Sequence, residues 1–343
     1  MADKNQKGTS RPVAVLVADV HYNIHTLPVA DAAMRQAIAK ANELDVPLIV
    51  AGDLHDTKAN LRGECVNAML ETFKQCANEA YVLVGNHDRL NEKAPEHSLK
   101  FLRPPVHLIE RTTHIGHQTL LMPYYHDLTA LRKALSYHRD DGTVSTLIMH
   151  QGIQGSNSGE YYNDKTALTF KDVENFRVIS GHYHARQDID TGKGNTFSYI
   201  GNPYTLNFGE SRDPQKGFQI LMDDGTLEFV PTNLRRHIVI GVTINDKGDL
   251  IADKRTTNPD DLVWVKVAGN AARIAEWGKE AIGRALFLPG PFRYEATPDA
   301  AQAEVSESTK GLSQVDILDR MIDALEVSTQ QKEDLKSLWK DLS

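Results

Sequence analysis

Short apolar runs alternate with amphipathic stretches from Pro12 onward. The runs PVAVLVA, PLIVAG and YVLVG are separated by DAAMRQAIAKANEL and by residues 61–76, in which apolar positions recur at helical spacing. Runs of the first kind predict strands and stretches of the second kind predict helices. The resulting β-α-β-α-β order is typical of a layered α/β fold. Further strands are predicted at QTLLM (118–122), VSTLIMH (144–150), RVISGH (177–182), FSYIG (197–201) and GFQILM (217–222).

The pattern changes after Pro231. The runs RRHIVIGVTI and LVWVKVAG precede a helical stretch. The two runs and this stretch together predict a small α+β unit. A stretch without apolar periodicity follows and is expected to be a linker. Two short amphipathic stretches then predict a C-terminal pair of helices. The expected organisation is a flexible arm (1–11), a main domain (12–232), a small α+β domain (233–290), a linker (291–312) and a helical pair (313–343).

Composition indicates a soluble globular protein. The 343 residues suffice for two domains, and 41% hydrophobic with 24% charged residues excludes collagen-like and disordered classes. The net charge of −8 provides no overall attraction for nucleic acid, so a DNA-binding surface would have to be local or belong to a partner. No apolar run approaches the roughly 20 residues of a membrane span, and there is no signal peptide pattern, so we expect a cytoplasmic protein without membrane contact.

Polar side chains that can bind metals follow the predicted strands. Each of five apolar runs ends at or just before such a residue: Asp19, Asp53, Asn86, His150 and His182. His21, His87, Asp88 and His184 lie within two residues of them. Any one could be a turn residue or a structural histidine. Because ligands of α/β sheets bind outside the carboxyl ends of strands, the whole set predicts one functional site.

Seven of these residues form a plausible ligand set for two metal ions: Asp19, His21, Asp53, Asn86, His150, His182 and His184. A carboxylate can bridge two ions, and Asp53 is the natural bridge. Imidazole, carboxylate and amide ligands without thiolate favour manganese, iron or zinc. Two ions about 3.5 to 4 Å apart can clamp the attacking and leaving oxygens at phosphorus. Phosphoester hydrolysis is therefore the expected reaction.

The order DxH, GD, GNHD, H and GHxH resembles that of the calcineurin-like metallophosphoesterases. The resemblance implies a layered β-sandwich flanked by helices. It also implies that Asp19, His21, Asp53 and His184 hold the first metal, and that Asp53, Asn86, His150 and His182 hold the second. His87 would then be free to stabilise the transition state or protonate the leaving oxygen, with Asp88 orienting it.

A narrower resemblance follows the last histidines. The segment YIGNPYTLNFGE (199–210), with KGF at 216–218, is similar to the Y-x-G-S-P…F-x-E…K-G-F stretch of the SbcD/Mre-eleven DNA-repair nucleases, and GDLHD resembles their GDIFD. Asn202 stands where serine is usual and His55 where an aromatic residue is usual, and the short chain suggests a compact, phage-type version.

This resemblance implies a nuclease subunit of an SbcCD-like complex that acts on DNA in a bacterial cell or a phage-infected host. Two divalent ions, with Mn²⁺ favoured, would support 3′–5′ exonuclease activity on duplex DNA and endonuclease activity on single strands. The small α+β domain would be a capping domain, and residues 313–343 would dock on an SMC-like ATPase subunit of the SbcC type. A homodimer is expected.

Two other functions remain open at this point. A phosphatase or cyclic-nucleotide phosphodiesterase would keep the chemistry and change the substrate. A non-catalytic scaffold would use the same fold for protein binding, but such a protein should have lost ligands and this chain has the complete set. The C-terminal helices also have an ordinary alternative, which is packing on their own domain.

Overall fold

The computed structural model describes residues 10–56, 58, 60–91, 95–116, 118–156, 167–192, 194–213, 215–298 and 332–333. The predicted linker beyond residue 298 and the predicted helical pair, except residues 332 and 333, lie outside this range, as do residues 1–9 of the predicted arm. The chain divides into two compact units. The first runs to Val239 and includes Arg255–Trp264 and Leu288–Arg293, and the second contains Ile240–Lys254, Val265–Phe287 and the described residues from Tyr294 on.

The first unit contains most of the regular structure. Its described elements in chain order are β1 (Pro12–Val17), α1 (Leu27–Leu44), β2 (Leu48–Val50), α2 (Gly63–Phe73), β3 (Ala80–Leu83), β4 (Val106–Ile109), β5 (Thr113–Ile115), β6 (Thr119–Met122), α3 (Leu128–Asp141), β7 (Thr146–His150), α4 (Phe170–Val173), β8 (Arg177–Gly181), β9 (Gln187–Gly192), β10 (Asn195–Tyr199), a 3₁₀ turn (Phe208–Arg212), β11 (Gly217–Met222) and β12 (Leu227–Pro231).

Two six-stranded sheets are built from these strands. The first has the order β12-β11-β1-β2-β3-β4, in which β1 to β4 are parallel. The second has the order β5-β6-β7-β8-β10-β9, in which β6, β7, β8 and β10 are parallel. The parallel strands bring the carboxyl ends of β1, β2 and β3 to one edge of the first sheet, and those of β7 and β8 to one edge of the second.

Alternating side chains of the central strands pack on both faces of each sheet. In β1, Val15 and Val17 belong to the core formed with α1 and α2, whereas Leu16 belongs to a core shared by both sheets. In β7, Met149 packs with the core that contains α3 residues, and Ile148 packs between the sheets. Strands buried on both faces are continuously apolar, as the sequence has them. The predicted α/β fold, with sheets flanked by helices, is confirmed.

Local sequence explains where several helices begin. Asp127 caps α3 by accepting hydrogen bonds from the backbone N–H groups of Thr129 and Ala130. Thr169 and Asp172 form a reciprocal capping box at α4. Such caps satisfy N–H groups that have no partner within the helix. No helix of the described residues has the length and apolar character needed to cross a membrane.

The rest of the chain contributes β13 (His237–Ile244), β14 (Leu250–Ala252), β15 (Leu262–Gly269), α5 (Ala271–Ala285) and β16 (Phe292–Pro298). These strands form a sheet with the order β14-β13-β15-β16. The strands at RRHIVIGVTI and LVWVKVAG and the following helix lie where the sequence predicts them. The domain boundaries at 232 and 290 stay predictions.

Two segments differ from the sequence-based expectation. Residues 292–298 were expected in the linker but form β16, because the alternation in FRYEATP suits a strand once β15 offers a neighbouring edge. Ser10 and Arg11 were expected in the flexible arm, but both bind Asp223. The Oγ of Ser10 donates to the Asp223 carboxylate over 3.0 Å, and the Arg11 Nε lies 3.3 Å from the same group.

Candidate metal centre

The residues singled out by sequence meet at the carboxyl ends of five strands. Asp19 and His21 follow β1, Asp53 follows β2, Asn86 and His87 follow β3, His150 ends β7, and His182 and His184 follow β8. Asp19, His21, Asp53 and His182 have φ values of 53°, 50°, 51° and 92°. Non-glycine residues rarely adopt this left-handed conformation, and such residues cluster at functional sites. The backbone is thus strained where the side chains converge.

One cluster contains Asp19, His21 and His184, whose possible ligand atoms lie within 4.8 Å of one another. The Nδ1 of His21 lies 3.0 Å from the Asp56 carboxylate, which orients the ring. The Nε2 of His21 is buried and has no hydrogen-bond partner among the described residues. A buried polar atom without a partner is rare, and a cation beside it would satisfy its lone pair.

A second cluster contains Asp19, Asp53 and His150, all fully buried or nearly so. The Nδ1 of His150 donates to the carbonyl oxygen of Ala51 over 2.8 Å, so its Nε2 faces the site. That Nε2 lies 3.1 Å from the Asp53 Oδ2 and 2.9 Å from the Asn86 Oδ1. Three potential ligand atoms thus lie close together.

His182 completes the ring of residues. Its Nδ1 lies 2.9 Å from the same Asn86 Oδ1, and its backbone N–H donates to the Asp19 carboxylate over 3.0 Å. The ring of Tyr124 stacks on the His182 imidazole with 6.0 Å between centroids. These contacts fix Asn86 and His182 next to each other although they are 96 residues apart in the chain.

The buried charges of Asp53 and His150 stabilise each other. Burial raises the pKa of the Asp53 carboxyl. The positive charge of His150 and its hydrogen bond to Asp53 outweigh the effect of burial and hold this pKa well below its usual range. Burial lowers the pKa of His150, but the charge of Asp53 and its hydrogen bond raise it to about 9. Several acceptors therefore share a small volume in which positive charge is favoured, as a metal site requires.

Two carboxylates that sequence reasoning did not assign a role hold the histidines in place. Glu210 Oε1 lies 2.8 Å from the Nδ1 of His184, and Asp56 braces His21 as described above. Both occur inside quoted motifs, Glu210 in F-x-E and Asp56 at the end of GDLHD, so the motifs contained a signal. Carboxylates that orient ligating histidines are a regular feature of metal sites.

A buried lysine neutralises Glu210. The Lys216 Nζ lies 3.3 Å from the Glu210 carboxylate and donates to the carbonyl oxygen of His184 over 3.0 Å. Burial raises the pKa of Glu210, but the hydrogen bond to His184 and the charge of Lys216 lower it to about 2. Glu210 is therefore ionised over the whole physiological range, which keeps the proton of the His184 Nδ1 in place.

His87 lies beside this site and is partly exposed. Its Nδ1 lies 2.9 Å from the carbonyl oxygen of Asp56, and its ring centroid is 4.8 Å from that of His21. Because a carbonyl only accepts hydrogen bonds, the Nδ1 carries a proton and the Nε2 is left for other partners. The backbone N–H of His87 donates to the Asp53 Oδ1 over 2.8 Å, which fixes its position.

The contacts of Asp88 are with backbone groups. Its buried carboxylate accepts hydrogen bonds of 2.8 Å from the backbone N–H groups of His55 and Gly85, whereas His87 is oriented by the Asp56 carbonyl. Burial and, after it, the charge of Asp53 raise the pKa of Asp88 to about 7. Asp88 therefore ties together the turns after β2 and β3. The backbone of GNHD directs the side chains of residues 87 and 88 to different partners. The sequence alone does not reveal this difference.

Comparison with known proteins decides the family. The model of the calcineurin-like phosphoesterases matches residues 13–186, about half of the chain. The chain belongs to the calcineurin-like phosphoesterase family. All nine residues predicted for the site lie within the matched segment. Membership of the calcineurin-like phosphoesterases implies a metal-dependent hydrolase of phosphoesters, so the general prediction of reaction class is confirmed, while the role of each residue stays a prediction.

A solved structure was also found to be similar. It is a dimetal phosphatase from Danio rerio, with 12% sequence identity and a TM-score of 0.38. The alignment covers 62% of this calcineurin-like phosphoesterase and 96% of the zebrafish chain.

Proposed function

We propose that this calcineurin-like phosphoesterase is a dimetal DNA nuclease of the SbcD type, acting as a 3′–5′ exonuclease on duplex ends and as an endonuclease on single strands. The observation that carries the proposal is the contact of His184 with Glu210 and Lys216. Both bracing residues belong to the segment that resembles the SbcD/Mre-eleven nucleases. A segment that distinguishes a subgroup within the family thus orients a predicted metal ligand.

The departure from the SbcD pattern at Asn202 fits this arrangement. Its Nδ2 donates to the Glu210 Oε2 over 2.9 Å, and the backbone N–H of Leu206 donates to the same oxygen over 3.1 Å. Asn202 is almost completely buried, so this hydrogen bond is protected from water. The asparagine can hold Glu210 in the position that the proposal requires.

The residues present suit two divalent ions. Asp19, His21, Asp53 and His184 would hold the first, and Asp53, Asn86, His150 and His182 the second. The Nε2 of His21, which has no hydrogen-bond partner among the described residues, and the oxygen-and-nitrogen donor set favour a cation such as Mn²⁺. Ions of this kind lower the pKa of bound water and neutralise charge on a phosphoester.

His87 would assist the departure of the leaving group. Its Nδ1 proton is held by the Asp56 carbonyl, so the proton that it can transfer is on Nε2. In its imidazolium form, His87 would donate this proton to the leaving oxygen or stabilise negative charge there. Its partial exposure lets a substrate approach.

The partners are proposed on the same basis. DNA is the substrate, an SMC-like ATPase of the SbcC type binds residues 313–343, and the chain forms a homodimer. The acidic net charge of −8 supports a role for a partner in holding DNA.

The test compares substrates with one preparation of the full chain. The chain and its His87→Ser variant are incubated with Mn²⁺ and 3′-labelled linear duplex DNA, beside a closed circular duplex. Stepwise loss of the label from linear DNA, absent in the variant, supports the nuclease. Cleavage of a phosphomonoester or cyclic nucleotide with intact DNA, even after addition of the ATPase subunit, would instead identify the phosphatase or cyclic-nucleotide phosphodiesterase.

A further inference from the structure

A cavity of about 380 Å³ lies in the first unit, apart from the nine predicted site residues. Its lining includes three basic side chains, those of Lys216, Arg235 and Arg236, together with Phe229 and Asn258. This volume falls within the range of small-molecule sites, and convergent basic groups beside an aromatic ring are typical lining for an anionic ligand.

Two of the three basic groups are already neutralised. Arg236 makes a salt bridge with the buried Asp261, with 2.6 Å between Nη2 and Oδ2. Lys216 makes salt bridges with Asp213 at 2.8 Å and with Glu210 at 3.3 Å. These two residues shape the wall of the cavity but carry little charge for a ligand.

Arg235 is different. Its Nε is buried, and among the described residues it has no hydrogen-bond partner. No carboxylate of the described chain forms a salt bridge with its guanidinium. Of the three basic side chains in the lining, Arg235 therefore keeps a positive charge that is available to an anionic ligand. A guanidinium in this situation favours a phosphate oxygen.

The aromatic wall suggests what accompanies the phosphate. The guanidinium carbon of Arg186 lies 4.5 Å from the ring centroid of Phe229. Arg186 is exposed and lies over the Phe229 ring, which places a positive charge beside this wall of the cavity. Surfaces of stacked aromatic and guanidinium groups bind the faces of nucleobases with little sequence preference.

We propose that this cavity binds a nucleotide, with the phosphate on Arg235 and the base against Phe229. The site requires neither a bound metal nor bond cleavage, so it goes beyond the proposed nuclease function and does not depend on it. The nucleotide can come from two sources, a free mononucleotide or one unit of a DNA strand. The chemistry recognised is the same in both.

The test measures binding to the full chain in EDTA, so that the metal centre does not contribute. Calorimetric titrations with dAMP and with deoxyadenosine compare the wild type with Arg235→Ala, Arg235→Lys and Phe229→Leu. Arg284→Ala is the matched control, because Arg284 is an exposed arginine of α5 outside the cavity. The melting temperature of each variant shows that it is folded.

We expect dAMP to bind the wild type and Arg284→Ala equally, and to bind Arg235→Ala at least ten times more weakly. Arg235→Lys should retain part of the affinity, and Phe229→Leu should weaken dAMP binding. Deoxyadenosine should bind weakly to every variant because it lacks the phosphate. Equal affinity of wild type and Arg235→Ala for dAMP, or no binding by the wild type, would overturn the proposal.

A second titration identifies the source of the nucleotide. A fluorescent single-stranded oligonucleotide is titrated under the same conditions. A loss of affinity in Arg235→Ala that parallels the loss for dAMP assigns the cavity to a DNA strand. Unchanged oligonucleotide binding with lost dAMP binding assigns it to a free nucleotide.

Discussion

Glu210 binds the imidazole of His184 across 26 residues of sequence, with 2.8 Å between the carboxylate oxygen and Nδ1. The contact fixes which ring nitrogen of His184 carries the proton and which one faces the predicted metal. The strand end and the 3₁₀ turn that supply the two residues belong to the same compact unit. The position of a predicted ligand thus depends on a residue that is not itself predicted to bind the metal.

Removal of this brace should weaken metal binding. We expect Glu210→Ala to lower the affinity for Mn²⁺ by about 10- to 100-fold, the usual effect of losing a carboxylate that orients a ligating histidine. Metal titration by calorimetry measures the change. Asp213→Ala is the control, since Asp213 also pairs with Lys216 but does not contact His184. Equal affinities in the two variants would show that Glu210 has no positioning role.

His87 should be needed for hydrolysis but not for metal binding. We expect His87→Ser to reduce the hydrolysis of bis(p-nitrophenyl) phosphate by about 100-fold or more, in line with loss of a general acid. Metal content, measured by mass spectrometry of the purified protein, should stay near that of the wild type. His107→Ser, which changes an exposed histidine of β4, controls for unspecific effects. Joint loss of metal and activity would assign His87 a different role.

Some residues of this site can be predicted from the sequence and others cannot, for reasons that differ from residue to residue. Asp19, Asp53 and His150 end apolar runs, so strand prediction alone places them at a sheet edge. Glu210 lies far from His184 in sequence and in a short 3₁₀ turn without apolar periodicity, so only the folded chain shows that the two meet.

Short strands were missed for a related reason. The edge strands β4 and β5 have four and three residues, and their exposed positions leave almost no periodic pattern. They become strands because a neighbouring strand supplies hydrogen bonds, as β16 does within the stretch expected to be a linker. Tertiary pairing decides such segments.

The buried Asp261 should make stability depend on pH. Burial raises its pKa, but hydrogen bonds and the charge of Arg236 outweigh burial, so its folded-state pKa lies below the unfolded-state value. Its contribution is therefore complete at neutral pH and is lost as the pH falls from the unfolded-state pKa through the lower folded-state pKa.

Replacement of Asp261 by asparagine removes the carboxylate that pairs with Arg236. We expect Asp261→Asn to lower the free energy of unfolding by about 3 kcal/mol at pH 7, because one member of a buried ion pair is removed. The difference from the wild type should shrink as the pH falls below about 4. Urea unfolding from pH 3 to 7 measures both effects, with the exposed Asp260→Asn as control. A difference that does not change with pH would contradict the electrostatic explanation.

The C-terminal stripe should carry the proposed interaction with the ATPase. Met321 belongs to the predicted apolar face of the first helix, together with Leu318, Ile322 and Leu325. We expect Met321→Glu to abolish complex formation with an SbcC-type subunit in pull-down and size-exclusion experiments. Asp319→Lys, on the predicted polar face, should not. Deletion of residues 313–343 should also abolish binding while hydrolysis of a small phosphodiester continues, and retained binding after deletion would refute the docking role.

Gly85 should be indispensable for the metal centre, because its surroundings leave no room for a side chain at this position. A Cβ at this position would collide with the backbone nitrogen and the carboxylate of Asp53. We expect Gly85→Ala to displace Asp53 and to lower Mn²⁺ affinity by about 10-fold or more, since Asp53 is the proposed bridge between the two ions. Metal titration and the melting temperature together separate loss of the site from loss of the fold.

Gly63→Ala is the matched control for this substitution. Gly63 begins α2, and apart from its chain neighbours and its own helix backbone no heavy atom of the described residues lies within 4 Å of the position that its Cβ would occupy. The control should therefore bind Mn²⁺ like the wild type and be equally or slightly more stable, because alanine favours a helix by up to about 1 kcal/mol over glycine. If Gly85→Ala also binds Mn²⁺ like the wild type while remaining folded, Asp53 tolerates displacement and cannot be the bridging ligand.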